Sequence, residues 1–343
     1  MVKVNVSYPD FSAGEISPRL YGRFDLASYY SGARRVENFI PQVTGSAHFR
    51  TGTVFANPTR DNNKAFLWTF NFTTAAAYIL EFTNGYIRFY KDNGIITEAA
   101  QDITAITQAN PAVVTYGGAD NYTNGDRVII ADVSGMTELN NVEFEVANVN
   151  AGANTFELAG IDSTAYGAYV SGGNVSVVVE VATSYTEAQL FELKLAQSGP
   201  DLYIVHPNHN PKKLTFSSST SWAFANHSPT GLTLGADNYP SAVAFYEQRL
   251  IYAGSNNNPQ TLYFSKAGDV DTFTVGTEVD DGIEYTVVGG GSIEWLRGTD
   301  RFLAIGSFED VLKVTGGLDD VITPQSISVK PTNSYGVADV NPI

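Results

Sequence analysis

Apolar residues come in short runs along this chain. Val, Ile, Tyr, Phe and Thr gather in segments of five to eight, separated by clusters of Gly, Asn, Asp and Pro. Runs of that length and make-up predict β-strands joined by turns. Ile79-Leu80-Glu81-Phe82 followed by Thr83-Asn84-Gly85 and Tyr86-Ile87-Arg88-Phe89-Tyr90 predicts a hairpin. Asn-Gly accepts the positive φ angles of a type I′ turn. The longest strongly apolar stretch, Val175 to Ala182, contains Glu180 and reads as one strand. It falls well short of the roughly 18 apolar residues a membrane-spanning helix needs, and no other run reaches that length.

Helical spacing occurs twice. Residues 25–36 begin with Asp25, a good N-cap, and carry Leu26, Tyr29, Tyr30 and Ala33 on one face, although Gly32 weakens the segment. Residues 187–197 follow Thr186, with Gln189 in the third place of a capping box and Leu190, Leu193 and Leu195 as the apolar face. Two short helices are therefore expected in a mainly β chain.

One unit recurs: a strand, a short turn and a second strand with Leu or Ile at its centre. Tyr78-Ile79-Leu80 pairs with Ile87-Arg88-Phe89, and Leu202-Tyr203-Ile204-Val205 with Leu214-Thr215-Phe216. Leu250-Ile251-Tyr252 pairs with Leu262-Tyr263-Phe264, and Phe302-Leu303-Ala304-Ile305 with Val311-Leu312-Lys313-Val314. From Ile204 to Ile251 is 47 residues, and from Ile251 to Leu303 is 52. From Ile79 to Ile204 is 125, which becomes 53 once the 72 residues 103–174 are set aside. A period near ~50 suits the blades of a β-propeller. Residues 103–174 hold several short strands of their own and predict a small β-barrel or sandwich inserted into the platform. The expected organisation is an N-terminal arm with the first part of the platform (1–102), the inserted module (103–174) and the rest of the platform (175–343).

The 343 residues include no cysteine. That excludes disulfides, thiolate metal sites and thiol nucleophiles. The net charge of −16 makes the whole chain a poor ligand for DNA or an anionic membrane. The charge is uneven. Residues 1–60 carry seven Lys/Arg and four acids, whereas the remainder carries 13 basic and 32 acidic residues. A basic arm on an acidic body points to an interface. Arg forms bidentate bonds to carboxylates, so Arg19, Arg23, Arg34, Arg35 and Arg50 are the candidate residues for contact with a neighbouring subunit or adaptor.

Other chemistry is weaker. His206-x-x-His209 has metal-ligand spacing but no third ligand nearby, and reads as a turn. Asp269-x-Asp271 lacks the Gly and distal Glu of a calcium loop. Asp280-Asp281 with Glu284, and Asp319-Asp320, could be the acid/base pairs of a glycosidase, but adjacent acids on a strand or turn point apart and are simply solvated. Gly289-Gly290-Gly291 lacks the Lys of a phosphate loop and predicts a bulge or turn. No cofactor, metal or catalytic set is expected, and the chain is read as a non-enzyme.

Two stretches carry a resemblance. Phe11-Ser12-Ala13-Gly14-Glu15-Ile16-Ser17-Pro18-Arg19-Leu20-Tyr21-Gly22-Arg23-Phe24-Asp25-Leu26, continuing through Gly32-Ala33-Arg34 and Glu37-Asn38-Phe39, resembles the opening of tail nozzle proteins of short-tailed bacteriophages, the tail tubular protein B-like or stabilisation family. Asp201-Leu202-Tyr203-Ile204-Val205-His206-Pro207, Leu262-Tyr263-Phe264-Ser265 and Ser334-Tyr335-Gly336 fit the same family. Members usually continue well beyond the Ser-Tyr-Gly stretch, so a short member, a second polypeptide or a fragment is implied. Thr123-Asn124-Gly125-Asp126 and Asn154-Thr155-Phe156-Glu157-Leu158 resemble the module named after the first catalytic-cysteine half-domain (FCCH) of ubiquitin-activating enzymes. Without cysteine that name implies no ubiquitin chemistry.

The resemblance implies a structural virion protein of the tail, assembled in the host bacterial cytoplasm. It would form a homohexameric ring below the head–tail adaptor, meet the tail fibre or tip proteins, and pass viral DNA through its channel during ejection without sequence-specific binding. The alternatives are a receptor-binding tail fibre or adhesin and a polysaccharide depolymerase.

Overall fold

The computed structural model describes residues 10–118, 122–236, 238–317 and 321–340. The chain divides into two compact units, 1–55 and 56–343.

The larger unit is a propeller-like array of four blades plus a closed barrel. The first blade runs Phe66–Asn71, Ala77–Thr83, Tyr86–Lys91 and Glu180–Ala182, with the short strand Gly94–Ile95 also on Tyr86–Lys91. The second runs Lys194–Ser198, Asp201–His206, His209–Ser218 and Ser221–Asn226. The third runs Ala242–Tyr246, Arg249–Ala253, Thr261–Phe264 and Ile283–Thr286. The fourth runs Ile293–Gly298, Leu303–Ser307, Val311–Thr315 and Ser328–Asn333. All pairings within the blades are antiparallel.

The recurring sequence unit is the second and third strand of each blade. Leu80 faces Phe89, Leu202 faces Leu214, Ile251 faces Phe264 and Leu303 faces Val314 across those pairs. In the first blade the core position is Leu80 rather than Ile79, which is exposed. The period of 2 along a strand makes this one-residue offset a change of face.

Apolar faces of successive blades pack together. Phe70, Leu80 and Phe89 of the first blade meet Leu202, Leu214 and Trp222 of the second, with the Phe89 and Trp222 rings stacked at 4.2 Å. Tyr203 and Val205 meet Leu250 and Tyr252, and Ile251 and Leu262 meet Leu303 and Ile305. Among the described residues no such cluster joins the fourth blade to the first. The outward face of the first blade, with Leu67 and Ile79, borders instead a 590 Å³ groove.

The barrel lies between the third and the outermost strand of the first blade. Its strands are Gln101–Ile106, Val113–Tyr116, Arg127–Ser134, Val142–Asn150, Thr155–Leu158 and Ser171–Val177. Val114, Val128, Ile130, Phe144, Val146, Phe156 and Leu158 alternate inward to fill it. The barrel thus spans 101–177, two residues more at the start and three more at the end than the strand pattern alone marks out. The chain enters and leaves at one point. Thr97 bridges Val178, and Val179 N–H donates to Ile96 O at 2.9 Å.

Several local expectations need correction. The run Val175 to Ala182 is not one strand: its first part closes the barrel and Glu180–Ala182 edges the first blade. The segment 25–36 is helical only over Ala27–Tyr30, with Leu26 at the N-cap. Asp25 binds Arg23 instead of capping. Gly32 and Ala33 pair in parallel with Gly14 and Glu15, where a Cβ on Gly32 would lie 2.5 Å from Ile16. The second helix starts where expected, with the Thr186–Gln189 capping box intact, but it is 3-10 and ends at Glu192. Leu195 belongs to the following strand. The Asn84-Gly85 turn is not type I′, because only Gly85 has positive φ (80°). Gly85 is held by Tyr185 and Thr183, and Asn84 accepts from Glu187 N–H.

Candidate functional site

The smaller unit carries the candidate arginines. Its pieces are short: the parallel pair Gly14–Glu15 with Gly32–Ala33, the hairpin Phe39–Pro41 with Ala47–Phe49, and the single helical turns Pro18–Leu20 and Ala27–Tyr30. From 10 to 55 only Gly14 and Gly45 are buried. No apolar side chain there is enclosed, whereas Phe24, Phe49 and Phe55 are 65%, 75% and 80% exposed. Val43 and Val54 are exposed as well. A segment that encloses no apolar side chain fully gains little to offset its ordering entropy. Large exposed apolar patches are a common feature of interaction surfaces.

The five candidate arginines all lie in this unit, and they differ. Arg23 is engaged by Asp25 in a bidentate pair at 2.7 and 2.5 Å, which raises the guanidinium pKa and lowers that of the carboxyl. Arg35 pairs with Glu37. Arg34 lies 5.9 Å over the Tyr21 ring, and Tyr21 OH donates to Arg34 O. Arg50 Nε donates to Asn38 Oδ1 at 2.8 Å, and Arg19 is exposed. No carboxylate among the described residues pairs with Arg19, Arg34 or Arg50. Phe11, Ile16, Tyr21, Tyr29 and Arg34 line a 420 Å³ hollow on this unit.

The other motifs resolve into structure. His206 and His209 face each other across a two-residue turn. His206 Nε2 meets Glu192 at 2.8 Å and His209 Nε2 meets Gln189 at 2.9 Å. Burial lowers the pKa of both rings, against the opposing Glu192 carboxylate at His206. Asp269 accepts from Asp271 N–H, and Asp271 meets His227 Nε2 at 2.9 Å. Lys266 holds Asp280 at 2.9 Å, lowering the Asp280 pKa, while Asp281 accepts from Glu278 N–H. Gly289, Gly290 and Gly291 all have positive φ and link the third blade to the fourth. Asp319 and Asp320 lie outside the described residues. No group of three His, Cys, Asp or Glu side chains suited to a metal occurs among the described residues.

Sequence reasoning overlooked a buried ion network where barrel meets blade. The fully buried Arg88 guanidinium is bidentate to Glu143 of the barrel (2.6 and 3.0 Å) and reaches Glu180 at 3.0 Å. Burial alone would lower the Arg88 pKa, but the two carboxylates outweigh it and raise it. Arg60 also binds Glu180 and stacks 3.6 Å over Tyr86, and Arg127 bridges Asp61 and Glu145. The sequence signal was a charge inside an apolar run, once at Arg88 and once at Glu180.

Comparison with known proteins adds two findings. Residues 109–178 match the family described as the ubiquitin-activating enzyme E1 FCCH domain. That match begins just after the first barrel strand and ends one residue beyond the last. Among solved structures the chain is similar to "Phage phi92 endosialidase", at 13% identity and a TM-score of 0.27, covering 80% of this chain and 44% of that one. The chain thus spans less than half the length of that structure. No curated protein sequence matches.

Proposed function

We propose that the chain is a structural component of a bacteriophage tail, a nozzle subunit that closes with copies of itself into a ring, most simply a hexamer, below the head–tail adaptor. The observation that carries this is the N-terminal unit, ordered yet without an apolar core, rich in exposed aromatic side chains and bearing the arginines free of intrachain acids. Its stretch Phe11 to Leu26 is also the part that resembles the nozzle family. Arg19, Arg34 and Arg50 would meet carboxylates of the next subunit, whose body carries the excess of acid.

The nozzle's channel would let viral DNA slide. Duplex DNA carries a charge every ~1.7 Å and is gripped by basic walls through counterion release. The blades and barrel together are strongly acidic, which favours passage over retention. The role is mechanical rather than catalytic. Of the acids that stand adjacent in sequence, Asp280 meets Lys266 and Asp281 accepts from a backbone N–H. Tail fibre or tip proteins would complete the assembly, in a virion formed in the bacterial cytoplasm.

Negative-stain imaging of the purified protein, with mass from light scattering, tests the reading. A closed ring of about six copies around a hole is expected. A trimer with a fibrous outline would replace it with the adhesin reading.

A further inference from the structure

We infer that the meeting point of the four innermost strands is a binding site for a small monatomic anion of the halide class. Each blade contributes its first strand there. Trp68 comes from the first blade, Lys194 and Leu195 from the second, Val243 from the third, and Trp295, Leu296 and Arg297 from the fourth. They enclose a cavity of 40 Å³. A single water needs only about 10–15 Å³ of such space.

The polar lining is one-sided. Every polar side chain on the wall is a donor: two indoles, an ammonium and a guanidinium. One of these donors, Trp68 Nε1, is buried without a hydrogen-bond acceptor, and a second, Lys194 Nζ, has only the Asp339 carboxylate for a partner. The Lys194 side chain is 4% exposed. Asp339 Oδ1 lies 2.5 Å from its ammonium, and the Asp339 side chain is half exposed. Asp339 thus stands against Lys194, while Arg297, at the exposed rim, pairs with no carboxylate among the described residues.

Buried donors without partners are costly, and native proteins fill such places with water or an ion. A water in this cavity would spend its own protons against a wall of donors. A halide accepts from all of them and cancels the residual charge. Lys194 explains itself on this view. A lysine in the innermost strand, facing the axis among Leu195 and Val243, otherwise adds a desolvation penalty with only partial compensation.

The test uses the full chain at constant ionic strength, exchanging gluconate for chloride or bromide. Gluconate supplies charge but is too large for the cavity. The melting temperature is expected to rise by about 2–4 °C in halide. A crystal grown with bromide should show an anomalous peak within reach of Trp68 Nε1 and Lys194 Nζ. Trp68→Phe removes one donor with little change of shape and should abolish most of the shift. Should Lys194→Met fail to fold, this variant still decides the matter. Equal melting in gluconate and halide overturns the inference. So does an anomalous peak unaccompanied by a shift, which would mean binding at crystal concentration only.

Discussion

The carboxylate of Glu143, on a barrel strand, grips the guanidinium of Arg88, in the middle of the first blade, through two hydrogen bonds of 2.6 and 3.0 Å. The barrel is thereby fastened to the platform beside the point where the chain leaves it, since Glu143 pairs with Ile129, Ile129 with Ser176 and Arg88 with Glu180. Removing one member of a buried pair leaves the other charge uncompensated. Glu143→Met should lower stability by about 3 kcal/mol in urea unfolding. Arg88→Met combined with Glu143→Met should cost less than Glu143→Met alone, since Arg60 still holds Glu180. A double variant weaker than the single one would show that the pair contributes net stability.

Acid should loosen the blades. His206, His209 and His227 all have pKa values lowered by burial, with Asp271 and Glu192 opposing at His227 and His206. The unfolded chain then binds more protons below the ordinary histidine pKa of about 6.5. The stability these groups confer is complete above that value and is lost as pH falls toward their folded pKa values. His227 Nδ1 meets Tyr252 OH at 2.8 Å in the interior, with Tyr203 packed on its ring and Lys213 adding to the lowering. His227→Gln should be less stable at pH 7.5, yet lose less than the natural chain between pH 7.5 and 5. Parallel pH profiles for the two proteins would contradict this.

Gly306 lies under the Trp295 ring, and a Cβ there would fall 2.1 Å from the indole. Gly306→Ala should cost about 1–3 kcal/mol by overpacking and should alter the near-ultraviolet circular dichroism of the tryptophans. An unchanged melting temperature would place Trp295 elsewhere.

The barrel should be removable. Glu98 N–H donates to Val177 O at 2.8 Å, so the two chain ends already lie side by side. Replacing 99–176 by a two-residue Asn-Gly turn, together with Arg88→Met because Arg88 loses Glu143 and keeps only Glu180, should leave a soluble platform that melts in one transition. Aggregation of that protein would show that the barrel is part of the platform's core.

What could be read from sequence followed from periodicity. The second and third strands of every blade, such as Ile251 with Phe264, pair locally and carry core-sized side chains, so their spacing exposed the repeat and its interruption. Features set by distant contacts were not legible. The run Val175 to Ala182 is apolar but for Ser176 and Glu180, yet it serves two sheets, because the barrel closes at Val177 and the blade begins at Glu180. The helix expected after Asp25 shrinks to one turn, because Gly32 is taken by the pairing with Gly14. The arginines of the arm were visible by charge, but only the structure shows Arg23 and Arg35 already engaged by Asp25 and Glu37. The lack of any enclosed apolar side chain from 10 to 55 is a property of packing that composition does not reveal.

The most direct test compares the mass in solution of the full chain with that of residues 56–343. Among the described residues no core cluster of the blades or barrel, nor any side chain packed on one, includes a residue before Phe66, so the shorter protein should melt as the longer one does. The account predicts a closed oligomer for the full chain and a folded monomer for 56–343. Equal masses for two folded proteins would contradict it.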